Sequence, residues 1–212
     1  MTRKTLLAAA TALLGALPLR AAHAAIEEPA YTVIEVHDGW ELRSYAPTIQ
    51  ARVTVQGEWG DALNQGFRIL AGYIFGGNQP RARIEMTAPV AARPAGERIA
   101  MTAPVAAVPA AAAGDGATWV VSFTMPSSWT LETLPVPDDP RVTLVAEAGG
   151  RVAALPFGGW ATSRRVAEKQ AELARALEAS GFTSTGPAVT AQYNPPWTPP
   201  PLRRNEILVP VR

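Results

Sequence analysis

Apolar and polar residues first follow a two-residue rhythm. Residues 49 to 56 alternate Ile49, Ala51, Val53 and Val55 with Gln50, Arg52, Thr54 and Gln56, which predicts a strand with one buried and one wet face. Upstream, residues 31–36 and 40–45 read as two more strands, joined by a tight turn at Asp38-Gly39. From Asp61 the period changes. Leu63, Phe67, Leu70 and Ile74 recur at helical spacing and Gly76-Gly77 supplies a stop, so a helix is expected from about 60 to 75. Gly66 and Gly72 fall inside it, each costing about 1 kcal/mol relative to alanine, so a close neighbour is expected there.

The next stretch nearly repeats itself: RIEMTAPVAA begins at Arg83 and RIAMTAPVAA at Arg98. Both copies read as strands in which Ile84, Met86 and Ala88, and Ile99, Met101 and Ala103, share one face. Pro89 and Pro104 cannot donate to a ladder and so mark an end, an edge or a bulge. Pairing the copies with Met86 opposite Met101 sends both thioethers to the same, interior face. Residues 106–117, AAVPAAAAGDGA, read as an exposed mobile loop. Residues 119–125 continue the strand pattern, and SSWTLETLPVPDDP links two halves.

The second half repeats the order of elements. Strands are expected at 142–147 and 152–157, as a hairpin around Gly149-Gly150. A helix follows from Thr162 or Ser163, with an apolar face of Val166, Leu173, Ala174 and Leu177 and a cap at Gly181. Strands at 188–193 and 206–211 close the chain. Strands, helix, strands thus occur twice, about 102 residues apart. Two helices among many antiparallel strands make an α+β protein, a curved antiparallel sheet or barrel flanked by two helices.

Composition narrows the chemistry. Residues 1–24 carry Arg3 and Lys4, an apolar run from Leu6 to Leu19, and Ala22-His23-Ala24, the three regions of a cleaved export signal. The apolar run is short for a membrane span and is broken by Gly15 and Pro18, so an exported chain with no stable span after cleavage is expected, periplasmic or secreted. Cleavage removes Arg3, Lys4 and Arg20 from the 19 basic residues and none of the 18 acidic ones, leaving 16 against 18, a formal net charge of −2. That balance argues against a nucleic-acid partner. The remaining residues, 25–212, are enough for one core. Cysteine is absent and histidine occurs only at His23 and His37, so a cluster of several His or Cys ligands cannot be assembled. Hydrolase signatures and a phosphate-cradling glycine loop are also missing from the sequence.

Five segments carry a resemblance that spans the mature sequence. They are Glu41-Leu42-Arg43-Ser44-Tyr45, the helix end Tyr73-Ile74-Phe75-Gly76-Gly77-Asn78, Met86-Thr87-Ala88-Pro89-Val90, Phe157-Gly158-Gly159, and Tyr193-Asn194-Pro195-Pro196-Trp197 followed by Arg203-Arg204-Asn205-Glu206. In this order they resemble the SOUL-type heme-binding proteins. The resemblance implies a pseudo-twofold α+β barrel, similar to the effector-binding domains of some multidrug-responsive regulators. It also implies a tetrapyrrole on the face of the first helix, beside the loop that precedes Arg203.

A tetrapyrrole needs an apolar wall, donors for its propionates and, optionally, an axial ligand. Phe67, Ala71 and Phe75 are wall candidates, with Gly72 admitting a flat ligand; Phe67 fits the core stripe equally well. Arg68, Arg203 and Arg204 are the propionate candidates. Some family members place basic residues where this chain has Asn64 and Gly72. Axial candidates are His37, Met86 and Met101, with Tyr45, Tyr73 and Tyr193 as phenolic alternatives. The loop YNPPWTPPPLRR displays Tyr193, Trp197, Arg203 and Arg204 on a proline-stiffened backbone, either as the rim of a site or as a tether over a barrel end. The expected function is non-enzymatic binding of heme or a related tetrapyrrole in a shallow apolar site, by a monomer. The alternatives are binding of other lipophilic small molecules, or an envelope protein-interaction module.

Overall fold

The computed structural model describes residues 26–81, 96–110, 117–195 and 197–212. Its strands are β1 (Tyr31–Val36), β2 (Glu41–Tyr45), β3 (Thr48–Gln56), β4 (Asn78–Gln79), β5 (Val105–Pro109), β6 (Thr118–Thr124), β7 (Val136–Pro137), β8 (Thr143–Glu147), β9 (Gly150–Gly158), β10 (Val189–Gln192) and β11 (Arg204–Pro210). The helices are α1 (Trp59–Ile74) and α2 (Ser163–Ala179), with a 3-10 turn at Pro200–Leu202. Nine strands form one strongly curled antiparallel sheet in the order β1-β2-β9-β11-β10-β5-β6-β3-β8, and β4 and β7 form a separate small ribbon. This is the α+β architecture that the periodicity predicts.

The sheet has an internal symmetry. Around the central β10–β5 pair, β11 mirrors β6, β9 mirrors β3, and β2 mirrors β8. Each half contributes a strand, a helix and two strands: β3, α1, β5, β6 and then β9, α2, β10, β11. The outer strands are exchanged, because β2 of the first half pairs with β9 and β8 of the second half pairs with β3. The expected hairpin around Gly149-Gly150 is therefore absent, and β8 and β9 diverge to different parts of the sheet. A side chain at Gly149 would lie 2.3 Å from the Tyr45 carbonyl oxygen, so this crossover needs glycine to pass against the β2–β3 turn.

Two other expectations change. Residues 105–109 form β5, paired with β6 and β10, where a loop was expected from 106. Alanine there fits because the strand lies between two neighbours, and Ala107 is buried. The second MTAPV copy becomes a strand only at Val105. Before it, Thr102 makes a parallel bridge to Glu27 and its hydroxyl donates to the Thr124 carbonyl. Strand alternation therefore does not reach Met101, whose side chain is 38% exposed rather than interior. The first copy, with Met86 and the proposed pairing, lies outside the described residues, as does residues 111–116 of the expected loop.

Helix α1 packs on β6 and β3, and α2 on β11 and β9, so each helix covers its own half. Leu70, Tyr73 and Ile74 of α1 and Leu173 and Leu177 of α2 enter one common core. Gly66 is the close contact expected inside α1: a Cβ there would meet Val121 at 2.6 Å. Gly72 has nothing within 4 Å of such an atom and faces open space. The pseudo-twofold brings the starts of the two helices together, and Trp59 Nε1 donates to the Ala161 carbonyl at 2.8 Å.

Candidate functional site

A cleft of about 580 Å³ opens where the two helix starts meet the proline-rich loop, within the size range of small-molecule sites. Trp59, Leu63 and Phe67 on α1 form one side, with Phe67 packed edge-on to Phe123 at 5.5 Å. Phe67 therefore serves both the core and the cleft. Trp160, Ala161 and Thr162, leading into α2, also line it, with Ala161 bonded to Trp59. Tyr193, Pro195, Trp197 and Arg203 close the rim, and Met101 also lines the cleft.

Local chemistry explains why these loops hold their shape. Strand β9 ends in Gly158, and Gly159 takes φ +84°, a left-handed backbone that favours glycine. The Gly159 amide donates to the Pro200 carbonyl at 3.1 Å, and the Asn205 side-chain amide donates to the Gly159 carbonyl at 2.9 Å. Helix α2 then starts from Thr162, whose hydroxyl accepts from the Arg165 amide, a normal N-cap. Arg203 joins the two loops. Its Nε donates to the Thr198 carbonyl at 2.8 Å, and its guanidinium lies 3.8 Å from the centre of the Trp160 ring.

Behind the rim lies a buried ionic network. Arg43 donates to both oxygens of Glu206, at 2.9 and 3.2 Å. Tyr193 donates its hydroxyl to the same carboxylate at 2.6 Å, while Arg204 reaches Glu206 and Glu28. Burial alone would raise the Glu206 pKa, but hydrogen bonds from Arg43 and Tyr193, with the charges of Arg43 and Arg204, hold it below the usual carboxylate value. Burial and then the Glu206 charge push the Tyr193 phenol up. Burial likewise raises Tyr45, and takes Tyr73, which donates to the Pro135 carbonyl, up to about 12. Burial thus favours the neutral form of all three phenols.

The expected site residues divide by position. Asn64, Phe67, Met101, Tyr193, Trp197 and Arg203 line the cleft. Arg68 lies on the adjoining flank of α1, in a shallow depression that shares Asn64 and Phe67, with its Nε bonded to the Asn64 carbonyl. Ala71, Gly72 and Phe75 lie one to two turns beyond Phe67 along α1, outside the cleft, with Phe75 56% exposed at the helix end. Arg204 turns away into the Glu206 network and covers the Tyr193 ring at 3.8 Å. His37 stacks on Trp40 at 3.9 Å in the β1–β2 turn and bonds Glu35, apart from the cleft. Met86 lies outside the described residues. Trp59 and Trp160 escaped sequence reasoning, although the repeated order of elements could have flagged them. Each precedes or opens the helix of its own half, and the symmetry brings those positions together.

Among the described residues, no group of three or more His, Asp or Glu side chains could hold a metal ion, and no helix is long and apolar enough to cross a membrane. Known proteins place this geometry. A curated relative, heme-binding protein 2 of Mus musculus, is 26% identical over 162 residues, covering 74% of this chain and 72% of its own. The solved C-terminal domain of EcmrR shares the fold with a TM-score of 0.55 at 12% identity, over 86% of this chain and 98% of that one. A hydrolase from Listeria innocua does so with a TM-score of 0.52 at 13% identity, over 84% and 94%. At such identities these two likenesses speak for the fold alone. The family model described as SOUL heme-binding protein matches residues 26–210, nearly the whole described chain, and the chain belongs to that family.

Proposed function

We propose that this protein is a non-enzymatic holder of heme or a related tetrapyrrole, bound without a covalent link in the cleft between the two helix starts. The observation that carries this reading is the composition of the cleft. Aromatic faces from Trp59, Phe67, Trp160 and Trp197 surround an opening with one arginine, Arg203, fixed at its edge. The residues fit the group: flat apolar walls suit a macrocycle, and Arg203 with the Asn64 amide suits its propionates. When bound, a heme would supply the iron and the chromophore. The chain itself excludes water from the ring faces, orients the carboxylates toward Arg203 and offers Met101 as a soft donor in the wall. Family membership and the name of the mouse relative support the ligand class. The leader-like residues 1–24 support export to the periplasm or beyond, and the mature chain acts as a monomer.

A second reading, binding of other flat lipophilic molecules, is favoured by the lack of histidine among the described lining residues. Titration of the purified protein with hemin, followed at the Soret band, separates the two. Saturable binding at low micromolar concentration supports the tetrapyrrole. No saturable Soret shift, together with tryptophan quenching by unrelated aromatic compounds, supports the second reading.

A further inference from the structure

Some exposed apolar surface beside the cleft is not explained by the cleft. Leu202 is 71% exposed and does not line it, and Trp197 does line it yet keeps 82% of its surface in solvent. Trp160 is 53% exposed on the neighbouring loop. These side chains share one rigid rim. The Gly159 amide bonds the Pro200 carbonyl, and Arg203 bridges the Thr198 carbonyl and the Trp160 face. Prolines 195, 196, 199, 200 and 201 limit what the loop loses on ordering.

Positive charge beside this rim comes from the start of α2. Arg164 and Arg165 open α2 beside the rim, whereas Arg203 is buried against Trp160 and Arg204 is paired with Glu28 and Glu206, in a chain whose expected mature form is net negative. Arg164 is bonded to Glu168 at 2.8 Å in an exposed i,i+4 pair, a solvent-screened interaction that an anionic surface can replace. The Arg165 guanidinium lies beside Gly159. Indole rings and an aliphatic tip backed by arginines match the boundary of an anionic bilayer: rings and tip enter the headgroup zone and the cations meet lipid phosphates.

We infer that the Trp160–Trp197–Leu202 rim is a docking surface for an anionic phospholipid membrane, held so that the cleft opens at the lipid boundary. A lipophilic ligand then enters or leaves without crossing bulk water. The docking itself does not depend on which molecule occupies the cleft.

The test is co-sedimentation of the exported, processed protein with phosphatidylglycerol and with phosphatidylcholine vesicles, with and without brominated lipid to quench tryptophan. Expected are binding to phosphatidylglycerol that weakens with added salt, quenching by brominated acyl chains, and much weaker binding to phosphatidylcholine. Leu202→Asp should weaken binding about tenfold or more, and Arg165→Glu about fivefold or more, while the Leu202 variant keeps its hemin titration. Equal vesicle binding by both variants would assign the attachment to another face or to a retained leader and overturn the inference. Failure to bind either vesicle, or capture only by an acidic protein, would overturn it as well.

Discussion

Arg203 touches both loops of the cleft and, though largely buried, lines it with its guanidinium stacked on Trp160. Replacing it by alanine removes a charge-assisted partner for a propionate and should weaken hemin binding by about 1.5 kcal/mol or more, roughly tenfold in Kd. Lysine should recover only part of that loss, since it keeps the charge without the planar stack. Arg68→Ala, on the outer flank, should change the Kd by less than about twofold; a large effect there would move the site along α1. Glu206 acts on stability instead. Glu206→Gln leaves buried Arg43 with only the part-exposed Glu41 as counter-charge and should cost about 3 kcal/mol in a denaturant titration. The folded-state pKa of Glu206 is depressed, so its contribution is present above the unfolded carboxylate value of about 4.5 and is lost as pH falls through the lower folded value. The wild type should therefore lose stability as pH falls below about 4.5 more steeply than the glutamine variant, in denaturation midpoints measured across that range.

Helix α1 is divided along its length. Its first half faces the cleft and its second half feeds the core and the exposed end at Phe75. The two interior glycines should respond in opposite directions. Gly66→Ala drives a methyl into Val121 and should cost about 1–3 kcal/mol despite the better helix propensity. Gly72→Ala meets open space and should gain up to about 1 kcal/mol; thermal melts of the pair read both signs. Elements with a clear period were legible in the sequence. The alternation of β3, the stripe of α1 and the Thr162 cap all appear where the pattern puts them. Two features had no local signal. Ala106 and Ala107 join a central strand because β6 and β10 flank them, and Met101 leaves the core because Thr102 is drawn to Glu27 and Thr124. Both outcomes are set by partners distant in sequence.

At the scale of the molecule, the exchange of outer strands ties the halves together: β2 completes the second half and β8 the first. Neither residues 26–126 nor residues 141–212 should fold alone, and far-UV dichroism with amide dispersion of each fragment checks this. A self-sufficient half would show that the exchanged strands contribute little. The repeat of elements was readable from the sequence, but the exchange was not, since adjacent strands usually form hairpins and only the sheet order reveals that these do not. The site shows the same limit. The proline-rich loop and α1 were found as separate motifs, while Trp59 and Trp160 join them only through the symmetry that stacks the helix starts. A structure of the protein with bound hemin tests the account most directly. The macrocycle should lie against Trp59, Phe67, Trp160 and Trp197, with a propionate at Arg203. Hemin seated instead along Ala71–Phe75, or beside His37, would contradict it.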